Sequence, residues 1–138
     1  MTTKTVTVRL PEQLYQPLEQ MAALWQHPLH DVLLHSIQIG LPPNLDRVPA
    51  RFCPDLEILG RFDNETLRRI ARSDMEEAKV VQYQDLLAKN ERGELSATDR
   101  ARLDALREEA DLLMLRRSYA LALLKWRGQS LPMDLGMR

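Results

Sequence analysis

The spacing of apolar positions changes along this chain and divides it into unlike parts. Residues 3–10 alternate, with Val6, Val8 and Leu10 on one side and Thr5, Thr7 and Arg9 on the other. Alternation with β-branched residues predicts a half-buried strand. Pro11 ends it and suits the first turn of a helix, where a missing N–H costs nothing. Leu14, Leu18, Met21 and Trp25 then recur at helical spacing, with Pro17 placed to bend the first turns. His27-Pro28 breaks that period, because the residue before a proline avoids the α region. A second helix is predicted from Pro28 to about Ile39, with Gly40 as its stop.

Half of the chain's eight prolines (Pro42, Pro43, Pro49 and Pro54) fall within residues 41–62. Residues 43–62 therefore read as a Pro-rich linker with extended pieces. Helical spacing returns at Asp63, where Asp63 or Asn64 can cap a short helix running to about Arg72. Ser73-Asp74-Met75-Glu76 has the form of a capping box and predicts a helix to about Asn90. Gly93 turns the chain. Ser96-Ala97-Thr98-Asp99 is a second box, with Asp in the usual Glu place. It opens a long helix to about Arg127, with Gly128 in the stop position. At 1.5 Å per residue this helix spans roughly 45 Å.

One stripe of the long helix carries Leu103, Leu106, Ala110, Leu113, Ala120 and Leu124, interrupted by Arg117. A second carries Leu112, Leu115, Tyr119 and Trp126. One can pack on the helix before it. The other needs the 63–72 helix, the linker or a second subunit. The expected fold is mainly α: one short strand and two helices in residues 1–42, then a helical hairpin in residues 63–128. Residues 129–138 read as a tail or a partner-docking segment.

Composition agrees with a folded chain: 44% hydrophobic and 28% charged, with 5% aromatic. The low aromatic share favours helix over sheet. The net charge of −1 gives no bulk attraction to nucleic acid. Residues 1–42 hold Lys4 and Arg9 against Glu12, Glu19 and Asp31, so any DNA contact must come from placement. The single cysteine, Cys53, excludes an internal disulfide. The N-terminus lacks the apolar core of a signal peptide. The longest apolar run, Tyr119 to Leu124, falls far short of the ~20 residues of a membrane helix. The reading is a cytoplasmic protein with no membrane contact.

A lone N-terminal strand is not stable by itself. Its economical partner is the same strand from a second copy. Two copies form an antiparallel ribbon, with Val6, Val8 and Leu10 of each chain as dimer core and Thr5, Thr7 and Arg9 facing outward. Such a ribbon fits the DNA major groove. Threonine can meet base edges and the thymine methyl, and arginine can grip guanine through two hydrogen bonds, worth about 1–3 kcal/mol of discrimination.

The order strand, Arg9-Leu10-Pro11, amphipathic helix, break, second amphipathic helix, Gly40-Leu41-Pro42 resembles the Arc/MetJ-like ribbon-helix-helix superfamily of DNA-binding proteins, which includes many antitoxins. The resemblance covers about residues 3–42. It implies an intertwined homodimer in which Thr5, Thr7 and Arg9 read bases. It also implies that the start of the second helix, around His27, Leu29 and His30, holds a DNA phosphate through backbone N–H groups and the helix dipole. Family members often carry Gly and then Ser or Thr at the turn where this chain has Gln26-His27-Pro28-Leu29. The function so implied is an autorepressing transcriptional regulator of antitoxin type, with residues 63–138 holding a partner protein such as a toxin. The alternative is a scaffold that dimerises through its N-terminal part and recruits a partner through the hairpin.

Other chemistry is sparse. His27, His30 and His35 lie close in sequence, but the spacing of His30 and His35 does not share a helix face and no further ligand stands near. Cys53 reads as an inert thiol in the linker. Arg61, Arg68, Arg69 and Arg72 can touch a DNA backbone or pair with Asp63, Glu65 and Asp74, and pairing is favoured. No Ser-His-Asp spacing, phosphate-cradling glycine loop or metal motif is present, so no enzyme and no cofactor are expected.

Overall fold

Much of this backbone punctuation recurs in the computed structural model, which describes residues 2–131. Most of the expected tail, residues 132–138, lies outside the described residues. The chain forms two compact units, Met1–Leu41 and Pro42–Arg138. Among the described residues no helix is long and apolar enough to cross a membrane.

In the first unit, α1 (Glu12–Trp25) begins behind Pro11, whose carbonyl accepts from the Leu14 and Tyr15 N–H groups, both at 2.9 Å. Pro17 lies inside this helix. The helix ends at Gln26, whose φ of 56° places it in the left-handed region. The His27 N–H donates back to the Ala22 carbonyl at 3.0 Å, the long bond of a glycine-type helix stop made here without glycine. A side chain in that conformation costs roughly 1–2 kcal/mol. Pro28 stands one residue outside α2 (Leu29–Ile39), and its carbonyl accepts from Asp31 at 3.0 Å and Val32 at 3.2 Å.

"Mainly α" is right, but the expected N-terminal strand is absent: residues 2–10 form neither helix nor strand, and all described secondary structure is helical. A strand is held by backbone bonds to a neighbouring strand, and residues 2–131 supply none. Alternation along Val6, Val8 and Leu10 therefore has nothing to act on in the single chain.

In the second unit, residues 50–61, expected to be a linker, are helical turns. A 3-10 turn (Ala50–Phe52), α3 (Cys53–Glu57) and a second 3-10 turn (Ile58–Arg61) follow one another. Phe52, Leu56 and Leu59 are buried. Pro54 sits in the first turn of α3, where its missing N–H is harmless. Prolines that read as linker thus start short helices, and the leucines between them supply core.

α4 (Asn64–Ala71) is capped by Asp63, whose carboxylate accepts from the Thr66 N–H at 2.8 Å. α5 (Glu77–Glu91) starts later than its sequence signal. Ser73 does not cap it; its hydroxyl donates to the Ile70 carbonyl at 2.7 Å, and Asp74 pairs with Arg117 at 3.2 Å. The box at α6 (Ala97–Trp126) does form: Asp99 N–H to Ser96 Oγ at 3.0 Å and Ser96 N–H to Asp99 Oδ2 at 3.3 Å. Gly93 (φ 69°) and Gly128 (φ 78°) stop α5 and α6 in the left-handed conformation that glycine adopts freely.

α6 is the spine of this unit. α5 runs antiparallel along its first half, where Lys79 meets Glu109 and Lys89 meets Asp99. Leu86 packs there with Leu103 and Leu106. α4 runs antiparallel along the second half, where Leu67 and Ala71 join Ala120, Leu123 and Leu124. Leu56 and Leu59 complete that cluster. Burying each of these leucines contributes roughly 1.5–3 kcal/mol. The first apolar stripe of α6 is thus shared between two short helices, and the second meets the supposed linker through Leu115 and Tyr119, whose hydroxyl donates to the Pro43 carbonyl at 3.1 Å.

Candidate nucleic-acid interface

Within the first unit the residues expected to read bases, Thr5, Thr7 and Arg9, are all exposed. So are two of the three expected core residues: Val6 is 78% and Val8 67% exposed, while Leu10 is half-buried. A single chain therefore does not separate a dry face from a wet one. The same holds for the helices. Ala22 is the one buried hydrophobic of residues 2–41, whereas Leu24 is 71% and Ile39 73% exposed. Leu14, Met21, Trp25, Leu34 and Ile37 are also in solvent.

The expected phosphate contact narrows. The His27 N–H is committed to Ala22, and Pro28 has no N–H. Leu29 and His30 remain. Pro28 occupies the cap position and offers no side-chain acceptor, so no side chain caps α2. Two N–H groups at the positive end of the α2 dipole are left pointing out of the helix. The side chains of His27 and His30 are exposed, and Leu29 is half-buried. Among the described residues no group of three His, Cys, Asp or Glu is placed to hold a metal ion.

In the second unit the arginines take places that spacing alone did not reveal. Arg117 interrupts the apolar row because it serves the end of α4: its Nε donates to the Ala71 carbonyl at 3.3 Å and its Nη1 meets Asp74. Arg127 donates to the Phe62 and Gly60 carbonyls and to Asn64 Oδ1. Arg68 donates to Gln129 at 2.8 Å. The favoured pairing of Arg61, Arg68, Arg69 and Arg72 with Asp63, Glu65 and Asp74 does not occur among the described residues. Asp63 is occupied in capping and Asp74 by Arg117. The Thr66 hydrogen bonds hold the Asp63 carboxyl below its usual value, with Arg69 and Arg127 adding a smaller pull. Cys53 is half-buried, with Val48 and Pro49 carbonyls 3.8 and 3.7 Å from Sγ.

Comparison with protein-family models, curated proteins and solved structures returns no match to this chain.

Proposed function

We propose that the chain is a dimeric, sequence-specific DNA-binding regulator of antitoxin type, in which residues 2–41 pair with their copy and meet DNA. The observation that carries this reading is the apolar surface of the first unit. Two helices that bury Ala22 alone leave Val6, Val8, Leu24, Ile37 and Ile39 in water. A unit of this size does not repay its conformational entropy without further burial, and a second copy brings a matching set of apolar side chains. The helical part of the resemblance also supports it: Arg9-Leu10-Pro11, α1, a turn, α2 and Gly40-Leu41-Pro42 follow one another, without the strand. In such a dimer Thr5, Thr7 and Arg9 read base edges, and the Leu29 and His30 N–H groups take a phosphate oxygen. The second unit takes a partner protein, in the way a toxin is held.

One observation favours a second reading, a scaffold that recruits a partner without DNA. Met75, Ala110, Leu113, Met114 and Leu121 line an open, mainly apolar depression of about 340 Å³ where the chain passes from α4 to α5. A gel-shift titration against the protein's own upstream DNA separates the two. Wild type should bind saturably and more weakly at higher salt. Thr7→Ala with Arg9→Ala should abolish preference for this DNA over a scrambled duplex while light scattering still reports a dimer. Failure of a dimeric wild type to bind rejects the regulator reading for that DNA and leaves the scaffold.

A further inference from the structure

We infer that Arg69 of α4 and Arg72 at its C-cap, together with Arg116 of α6, form a second contact for the phosphodiester backbone of DNA, in the unit that does not read bases. This deepens the proposed function and rests on it.

The arginine face exists because α4 turns Leu67 and Ala71 inward, which leaves Arg69 and Arg72 exposed. Arg69 and Arg116 line one open depression of about 390 Å³ with Thr66, Ile70 and Ser73. No carboxylate lines it. The hydrogen bonds of these arginines are to neutral groups: Arg69 to Thr66 Oγ1 at 3.3 Å and Arg116 to the Asp55 carbonyl at 3.2 Å. Among the described residues no carboxylate lies within ion-pair distance of Arg61, Arg69, Arg72 or Arg116. Asp63 caps α4 and feels Arg69 only as a minor pull, Asp74 pairs with Arg117, and the acids Asp74, Glu76 and Glu109 line a neighbouring depression that Arg116 also borders.

A guanidinium has five donors, no acceptor and a charge that persists at every working pH. Its planar fork matches two phosphate oxygens. Thr66 Oγ1 accepts from Arg69 and the Ser73 hydroxyl is already given to the Ile70 carbonyl, so the guanidinium groups of Arg69 and Arg116 are the donors this depression offers. An open site lined by donors suits a uniform anionic polymer passing over it. Tight protein partners need a buried apolar anchor, and Ile70 alone lines this depression as an apolar side chain.

The test measures binding of the full-length chain to two labelled duplexes, its upstream DNA and a scrambled duplex of equal length, over about 50–200 mM salt. Arg69→Gln with Arg72→Gln should weaken binding to both duplexes by the same factor. The slope of log affinity against log salt should fall by about 1 for each phosphate no longer neutralised, hence by about 2 or more. Arg69→Lys with Arg72→Lys keeps the charge and should keep the slope, which a merely structural role would not predict. A Gln variant that is folded and binds with wild-type slope and affinity overturns the inference and leaves the face to an acidic protein. Retention of upstream preference by the Thr7→Ala, Arg9→Ala variant defeats the base-reading proposal instead, whatever the Arg69 and Arg72 variants do. Absence of wild-type binding to either duplex overturns both.

Discussion

Arg127 is the residue whose removal should most weaken the second unit while taking the fewest atoms from its core. Its Nη1 donates to the Phe62 carbonyl at 2.8 Å and to Asn64 Oδ1 at 3.0 Å, and its Nη2 donates to the Gly60 carbonyl at 2.9 Å. One guanidinium therefore joins the end of α6 to the turn that feeds α4. A hydrogen bond to a charged group contributes about 1.5–3 kcal/mol, so three set an upper limit near 9 kcal/mol. Gly60 is exposed and Phe62 only half-buried, so water replaces much of what the side chain supplied. Arg127→Ala should therefore cost about 2–4 kcal/mol. Arg127→Lys should recover roughly half, because an ammonium is a point donor and does not reproduce the fork. Each unit carries one tryptophan, Trp25 and Trp126. In a Trp25→Phe background, Trp126 fluorescence during urea unfolding reports the second unit alone. A destabilisation below about 0.5 kcal/mol for Arg127→Ala would refute the reasoning. A lysine variant equal to wild type would show that the fork geometry is not what holds the turn.

Two further outcomes are expected. In a Trp126→Phe background, Trp25 should report a first-unit transition that strengthens by about 1.4 kcal/mol for each tenfold rise in protein concentration, as mass action requires of a dimer; a concentration-independent midpoint contradicts self-association of that unit. Hydrogen bonds from Thr66 to Asp63 and from Ser96 to Asp99 hold both carboxyls below the ordinary aspartate range. Their stabilisation is present above the ordinary value, which the unfolded chain keeps, and is lost as pH falls through the lower folded values. The urea midpoint of the second unit should therefore drop below about pH 4, less steeply in Asp99→Asn, and equal slopes would show the cap is not the cause.

How much was legible depends on where each signal finds its partner. Pro11, His27-Pro28, Gly93 and Gly128 act on their own backbone, and the helices start or stop beside them as their spacing predicts. The Ser96 and Asp99 box needs atoms three residues apart, so it also forms as read. Ser73 and Glu76 carry the same spacing, yet that box is absent, because Ser73 serves the Ile70 carbonyl and Asp74 is held by Arg117 from α6. Nothing local ranks those competitors. The candidate site shows the same limit. Thr5, Thr7 and Arg9 are exposed as expected, but so are Val6 and Val8, because a two-residue period has meaning only against a second layer.

The sequence by itself determined the mainly helical class, the α1–α2 break and the long final helix, since each depends on dihedral preferences and hydrogen bonds within a few residues. The tertiary structure alone decided that residues 50–61 are core, that one stripe of α6 serves two helices in turn, and that Arg117 and Arg127 bind carbonyls far along the chain. Those outcomes depend on which apolar surfaces and unpaired polar groups meet after the chain has closed long loops, and side-chain spacing does not encode that competition.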